Sequence, residues 1–214
     1  DLVRSGKVLY VGVSEWTAQQ IQDGHDLAEQ LGIHMISNQP QYSMLWRVIE
    51  ADVVPVCVSV GISQIVFSPL AQGVLTGKYR AGEQPPAGSR ATDEKGGGDM
   101  NKGWMSDDVL ERVQQLAPIA EEAGLSMAQL AVAWTLQNNN VASAIIGASR
   151  PEQVQDNAAA SGIKLHDELL AKIDPLRDRF GDRVASEWAA GDPPRSALEL
   201  APDLAGALRA GHGD

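Results

Sequence analysis

Cysteine is nearly absent from this 214-residue chain. Cys57 stands alone, which excludes an internal disulfide and any multi-cysteine metal site and makes a reducing cytoplasm the expected compartment. Aromatic residues are scarce at 5%. Basic residues are the minority charge, 17 Lys and Arg against 28 Asp and Glu, for a formal net charge of −11. A nucleic-acid partner, which needs a basic stripe, is not expected. Apolar runs stay well short of the ~20 residues that cross a bilayer, so no membrane partner is expected. No signal peptide is read, and the chain opens Asp1-Leu-Val-Arg-Ser-Gly-Lys7 without an initiating Met, as though inside a helix. No G-x-G-x-x-G follows any apolar run, which weakens a Rossmann reading.

What the chain does contain is an alternation of two kinds of segment. Residues 7–16 (KVLYVGVSEW) read as a buried parallel strand. The helix that follows opens with the capping-box spacing Thr17–Gln20, aligns Ile21, Ala28 and Leu31 on one face, and stops at Gly32. Residues 33–42 predict a second strand ending by Pro40, and residues 61–73 a third ending at Ser68-Pro69. Between them the valine-rich run 47–61 favours strand by propensity, yet parallel strands need a crossover there, so a helix is expected.

From Ala81 to Met105 glycine, proline, serine and charge dominate, which predicts a long surface loop, functional or mobile. Helices are expected over 106–123, closed by Gly124, and over 126–137, with Ser126 and Gln129 as a second capping box. Residues 141–149 predict a fourth strand, and a helix opens at Arg150. Residues 1–176 are read as one unit and 177–214 as a tail. Four strand–helix units imply a parallel sheet, either open and doubly wound or part of a (β/α)₈ barrel, whose usual length is about 250 residues. Four strands supply half a barrel.

Three strings could carry chemistry. In GASRPEQVQDN (147–157), Ser149 and Glu152 have capping-box spacing, and Ser149 with Arg150 suits a phosphate at a helix N-terminus; an ordinary capped helix explains the string alone as well. In FSPLAQGVLTGKY (67–79), Phe67 ends a strand, Ser68 offers a donor and Lys78 a cation. In NQPQY (38–42), Gln39 can both donate and accept. Ser14, Gln39, Ser68 and Gly147 each fall at the C-terminal end of a different strand, the ligand-binding face of such sheets.

These strings, with LVRSGKVLYVGVSEW, PPAGSRA and LAVAWTLQNNNVASAIIGAS, run in order over residues 1–160. Together they resemble the aldo-keto reductases, in the branch of bacterial aldehyde reductases and potassium-channel beta subunits. The resemblance implies an α/β fold of TIM type, a (β/α)₈ barrel, of which this chain would be the C-terminal half, strands five to eight. It implies NADPH (NADP) as cofactor and reduction of a small-molecule aldehyde or ketone. Ser14 and Gln39 would hold the nicotinamide carboxamide and Phe67 would stack on its ring. Ser68, Pro69, Leu70, Ala71 and Gln72 would line the pyrophosphate under Lys78, with Arg90 at the adenosine end. Gly147, Ser149 and Gln153 would meet the 2′-phosphate region, and Asp156 and Asn157 the adenine.

Two positions depart from the family pattern. Glu15 stands where many members carry Asn, and Asp156 where Glu is commoner. The Asp, Tyr, Lys and His that carry the family's chemistry belong to the first four strands. Tyr10, Tyr42, Tyr79 and the four histidines read as core or surface residues, so no catalytic residue and no metal ligand is assigned. The expectation is a cofactor-binding fragment, inactive alone and weak in NADPH binding, whose open edges favour a homo-oligomer; the alternative is a non-catalytic NADP-binding regulatory module.

Overall fold

A computed structural model describes residues 1–93 and 98–176; the expected tail, 177–214, lies outside the described residues. Residues 1–6 wind as a turn, with the Ser5 N–H donating to the Asp1 carbonyl, and Gly6 at φ +71° ends it. Four strands follow: β1 Val11–Ser14, β2 Met35–Gln39, β3 Ser63–Phe67 and β4 Val141–Ile145. They pair in parallel in the order β1-β2-β3-β4. The described part is therefore an open parallel α/β sheet whose edges are β1 and β4, and it is not a closed barrel.

The helices are α1 Ala18–Leu31, α2 Val53–Ser59, α3 Asp107–Gln115, α4 Ala117–Glu122, α5 Met127–Thr135, α6 Pro151–Ala158 and α7 Asp167–Ile173. Thr17 and Gln20 form the reciprocal capping box that starts α1, and Gly32 ends it at φ +64°. Ser126 and Gln129 do the same for α5. The valine-rich crossover is a 3₁₀ turn (Val48–Glu50) followed by α2, because tertiary context overrides β-propensity there.

Several expectations need correction. The strand expected over 7–16 pairs only from Val11 to Ser14, and Leu9 and Tyr10 are 79% and 63% exposed. It is an edge strand, not a buried one, and β1 carries only half-buried and exposed residues. Leu31 is exposed while Ile21 and Ala28 are buried. The single helix expected over 106–123 is two, divided at Leu116; Pro118 lacks the N–H needed to continue α3 and sits in the first turn of α4. The polar stretch 81–105 is not loop throughout. It contains 3₁₀ turns at Arg90–Thr92 and Asp99–Trp104, the second of which buries Asn101 and sets Trp104 edge-on to Trp46 at 6.0 Å.

One face of the sheet is buried. Asn38, Gln64 and Val66 on it are fully covered, and the amides form a row. Asn38 Nδ2 donates to Gln64 Oε1 at 3.0 Å, Gln64 Nε2 to Asn140 Oδ1 at 2.9 Å, and Asn140 Nδ2 to the Ile62 carbonyl at 2.9 Å. The main core packs Val66 of β3 with the loop after β2 (Tyr42, Trp46), residues 71–79 and the inner faces of α3–α5. A second cluster of three buried residues, Ile21, Cys57 and Ile62, joins α1, α2 and the start of β3.

Candidate functional site

The C-terminal ends of β1, β2 and β3 form one rim. At its first corner the Ser14 hydroxyl donates to the Gln39 carbonyl at 2.8 Å, tying the end of β1 to the end of β2. The next residue, Glu15, takes the left-handed conformation (φ +57°), and its carboxylate accepts the Gln41 N–H at 2.5 Å. Although Glu15 stays exposed overall, local desolvation of its carboxyl raises its pKa above the usual range, with the Gln41 N–H pulling the other way. The sequence reading treated Glu15 as a lost contact; the structure makes it a clamp between β1 and the β2 loop.

The second corner follows β3. Phe67 ends the strand half-buried and exchanges backbone bonds with Pro40 and Tyr42. Beyond it Ser68 (φ +55°), Ala71 (φ +44°), Gln72 (φ +58°) and Gly73 (φ +93°) all lie in the left-handed region. Among the described residues Glu15, Ser68, Ala71 and Gln72 are the non-glycine residues at positive φ, and all four lie on this rim. Strain of this kind costs about 1–3 kcal/mol per residue and persists where the surroundings impose it, often at ligand sites. Here the surroundings are the core: Pro69 and Ala71 are buried, while Ser68, Leu70 and Gln72 stay half-exposed.

The side chains at this corner are chained. Gln72 Nε2 donates to Ser68 Oγ at 2.6 Å, and the Arg90 guanidinium donates to Gln72 Oε1. Arg90 is thereby brought from the 81–93 segment onto the β3 loop. Lys78 lies 5.1 Å above the Tyr79 ring, and its ammonium is so near Gly73 that a Cβ there would meet it at 3.2 Å. Two cations thus flank a strained loop with a hydroxyl, the donor set a pyrophosphate requires.

The third corner, after β4, is an open cleft of about 570 Å³ lined by Ala148, Ser149, Arg150, Pro151, Val154 and Gln155. The expected Ser149–Glu152 capping box is not formed. Pro151 occupies the first turn of α6, so Arg150 is its N-cap residue and makes no side-chain cap. Ser149 instead turns its N–H and hydroxyl to Gln153 Oε1, at 2.8 and 3.2 Å. Gly147 is exposed with nothing within 4 Å of a Cβ position, which leaves the backbone approachable.

Asp156 and Asn157 turn away from that opening. The Asp156 carboxylate accepts from Gln129 Nε2 at 2.9 Å and Ser126 Oγ at 3.2 Å, and Asn157 is buried. Ser14, Gln39, Phe67, Ser68, Gln72, Lys78 and Arg90 are brought to one rim, Gly147, Ser149 and Gln153 to its third corner, and Asp156 to the α5–α6 packing.

The remaining titratable candidates are structural. Tyr42 is buried, donates to Glu50 Oε1 at 2.7 Å, and burial followed by the Glu50 charge holds its phenol protonated far above the ordinary range. Tyr79 is buried, and its oxygen is reached by Asn101 and by the Ala91 N–H. Cys57 is buried and its thiol pushed up by desolvation. Among the described residues no group of three or more His, Cys, Asp or Glu could hold a metal ion, and no helix is long and apolar enough to cross a membrane.

Comparison with known proteins agrees with this geometry. The family model described as the Aldo/keto reductase family matches residues 1–178. A putative voltage-gated potassium channel subunit beta of Schizosaccharomyces pombe is 40% identical over 184 residues, which are 82% of this chain and 52% of that protein. A probable voltage-gated potassium channel subunit beta of Arabidopsis thaliana is 42% identical over 161 residues, 74% of this chain and 48% of the relative. L-glyceraldehyde 3-phosphate reductase of Escherichia coli K12 is 34% identical over 190 residues, 88% of this chain and 54% of the enzyme. The chain spans about half the length of the curated relatives it matches.

Proposed function

Because the chain belongs to the aldo/keto reductase family, we propose that it provides the cofactor-binding rim of an NADPH-dependent oxidoreductase that reduces aldehydes or ketones to alcohols. The observation that carries this reading is the second corner, where the left-handed loop Ser68–Gly73 is flanked by Arg90 and Lys78. In a chain of net charge −11, those cations are placed where a polyanion needs them.

NADPH bound along the rim supplies the hydride. Ser14 and Gln39 orient the carboxamide of the nicotinamide, and Phe67 covers one face of its ring, which fixes the face left for transfer. Ser68, Pro69, Leu70, Ala71 and Gln72 cradle the pyrophosphate, with Lys78 and Arg90 neutralising its charge. Gly147, Ser149 and Gln153 line the 2′-phosphate end, and Arg150 adds a cation to that cleft. Asp156 and Asn157 reach adenine only after exchanging their present partners. No residue of this chain is given the proton-donor role, and activity needs groups from outside these residues.

Titration of NADPH by its own fluorescence tests the reading. Arg90→Ala and Lys78→Ala are expected to weaken binding about tenfold each, roughly 1.4 kcal/mol, and added salt should weaken it further. Binding indifferent to both substitutions would overturn the assignment. The purified chain is expected to show no turnover of 4-nitrobenzaldehyde with NADPH, and measurable turnover would place a catalytic group within these residues. A second reading, a non-catalytic NADP-binding regulatory module, is favoured by the names of the relatives that are 40% and 42% identical, both potassium channel beta subunits. Both readings share the rim.

A further inference from the structure

We propose that a second copy of this chain closes the open sheet, about a two-fold axis parallel to the strands, so that β1 of each copy pairs with β4 of the other and eight strands form one barrel. The inference rests on the sheet and its flanks and holds whether or not the rim takes NADPH.

The two faces of the sheet differ. Asn38, Gln64 and Val66 on the helix side are fully covered. Their neighbours on the opposite face, Ser37, Ser63, Ile65, Phe67, Ser143 and Ile145, are half-buried or exposed, and the strand pairing Ser37↔Ser63, Ile65↔Ser143 and Phe67↔Ile145 puts them side by side. No strand carries a charged residue: the four read VGVS, MISNQ, SQIVF and VASAI. In a chain that is 21% charged, a wholly uncharged sheet with one uncovered face is a surface built to be buried.

The edges point to what covers it. β1 and β4 both lack a second neighbour among the described residues, and both would accept a parallel partner. A single added strand would leave new edges behind it. Two copies of a four-stranded parallel sheet related by a two-fold axis along the strands remove all four edges at once, and they give the eight strands whose interior side chains can fill. All strands then keep the same direction, so both rims lie at one mouth. The flanks match as well. Leu27 and Leu31 are exposed on α1, which follows β1, and Val154 is exposed on α6, which follows β4. The proposed arrangement sets α1 of one copy beside α6 of the other and covers all three. The curated relatives are about twice the length this chain covers, so two such units restore their extent.

Sedimentation and light scattering of the purified chain should give a species of twice the 22.8 kDa chain mass. Ile145→Lys and, separately, Ser143→Lys place a solvated ammonium on the uncovered face of a monomer but bury it in the barrel, so each should shift the protein to monomer with unchanged far-UV circular dichroism. The double substitution Val11→Cys with Ala142→Cys puts one thiol on each edge, and Cys57 is buried and out of reach. A short bis-maleimide should then link two chains in the double variant and in neither single variant. A monomer at all concentrations, oligomers larger than two, a dimer indifferent to both lysines, or equal cross-linking in a single variant would each overturn the proposal.

Discussion

The two ends of the sheet are built to different standards. Around β3 and β4, the loop after β2, residues 71–79 and helices α3–α5 enclose a continuous core with Trp46, Trp104 and Trp134 inside it. Around β1 and α1, the buried set is Ile21 alone with Cys57 and Ile62, and Leu2, Leu9, Tyr10, Leu27 and Leu31 remain exposed. Apolar surface left in water gives no hydrophobic stabilisation, so the first region depends on its neighbours while the second sustains itself. The rim straddles this boundary: its nicotinamide corner stands on the thin side and its phosphate corner on the thick one.

Substitutions that separate the two regions should scale accordingly. The largest effect is expected at Trp134, buried with its ring 5.2 Å from Tyr42 and 4.8 Å from the Arg47 guanidinium. Trp134→Ala should cost about 3–5 kcal/mol in urea unfolding. Ile21→Ala, although the side chain is fully buried, should cost nearer ~2 kcal/mol. It should also speed amide exchange in α1 and β1 selectively, and a uniform increase would erase the distinction drawn here.

Smaller effects probe the connections. Arg47 binds Glu50 at 2.8 Å and Asp174 at 2.9 Å, pinning the β2 loop to the chain after α7. Arg47→Ala should cost about 1–2 kcal/mol, the part-buried Glu50 losing its cation while the screened Asp174 contact adds little.

The smallest effect is at Glu15. Its folded-state carboxyl is raised from 4.5, so the folded state holds the proton more tightly than the unfolded chain. That preference favours folding below the unfolded value and is lost as pH rises through the folded one. Glu15→Gln should therefore shift the urea midpoint slightly upward at pH 7 and leave it unchanged at pH 3, because the amide oxygen still accepts from Gln41. A larger gain at pH 3 than at pH 7 would reverse the sign and refute this account of the clamp.

Much of this architecture is legible in the residues themselves. The pairs Thr17–Gln20 and Ser126–Gln129 announce the two helices that the structure caps reciprocally. The valine-rich crossover is readable as helix only because parallel strands on both sides require one. Where reading failed, a single residue shifted the register: Pro118 divides one expected helix, and Pro151 moves the α6 cap from Ser149 to Arg150. Both prolines are visible in the sequence, so the signal existed and was outweighed by the serine–glutamate spacing. Glu15 is a different failure. Its backbone conformation and its reach to Gln41 arise from how β1 and β2 come together, and nothing within the string VGVSEW specifies them.

The amide row under the sheet bears on the order in which the molecule assembles. Gln64 reaches Asn140 across 76 positions of sequence, and Asn140 reaches back to Ile62 across 78. Closing so long a span is entropically slow unless the intervening chain has already shortened it. Helices α3–α5 lie inside that span and pack on residues 71–79, so their condensation carries the end of α5 to the mouth of β4. The last strand then docks onto a formed surface, and the three amides act as its latch.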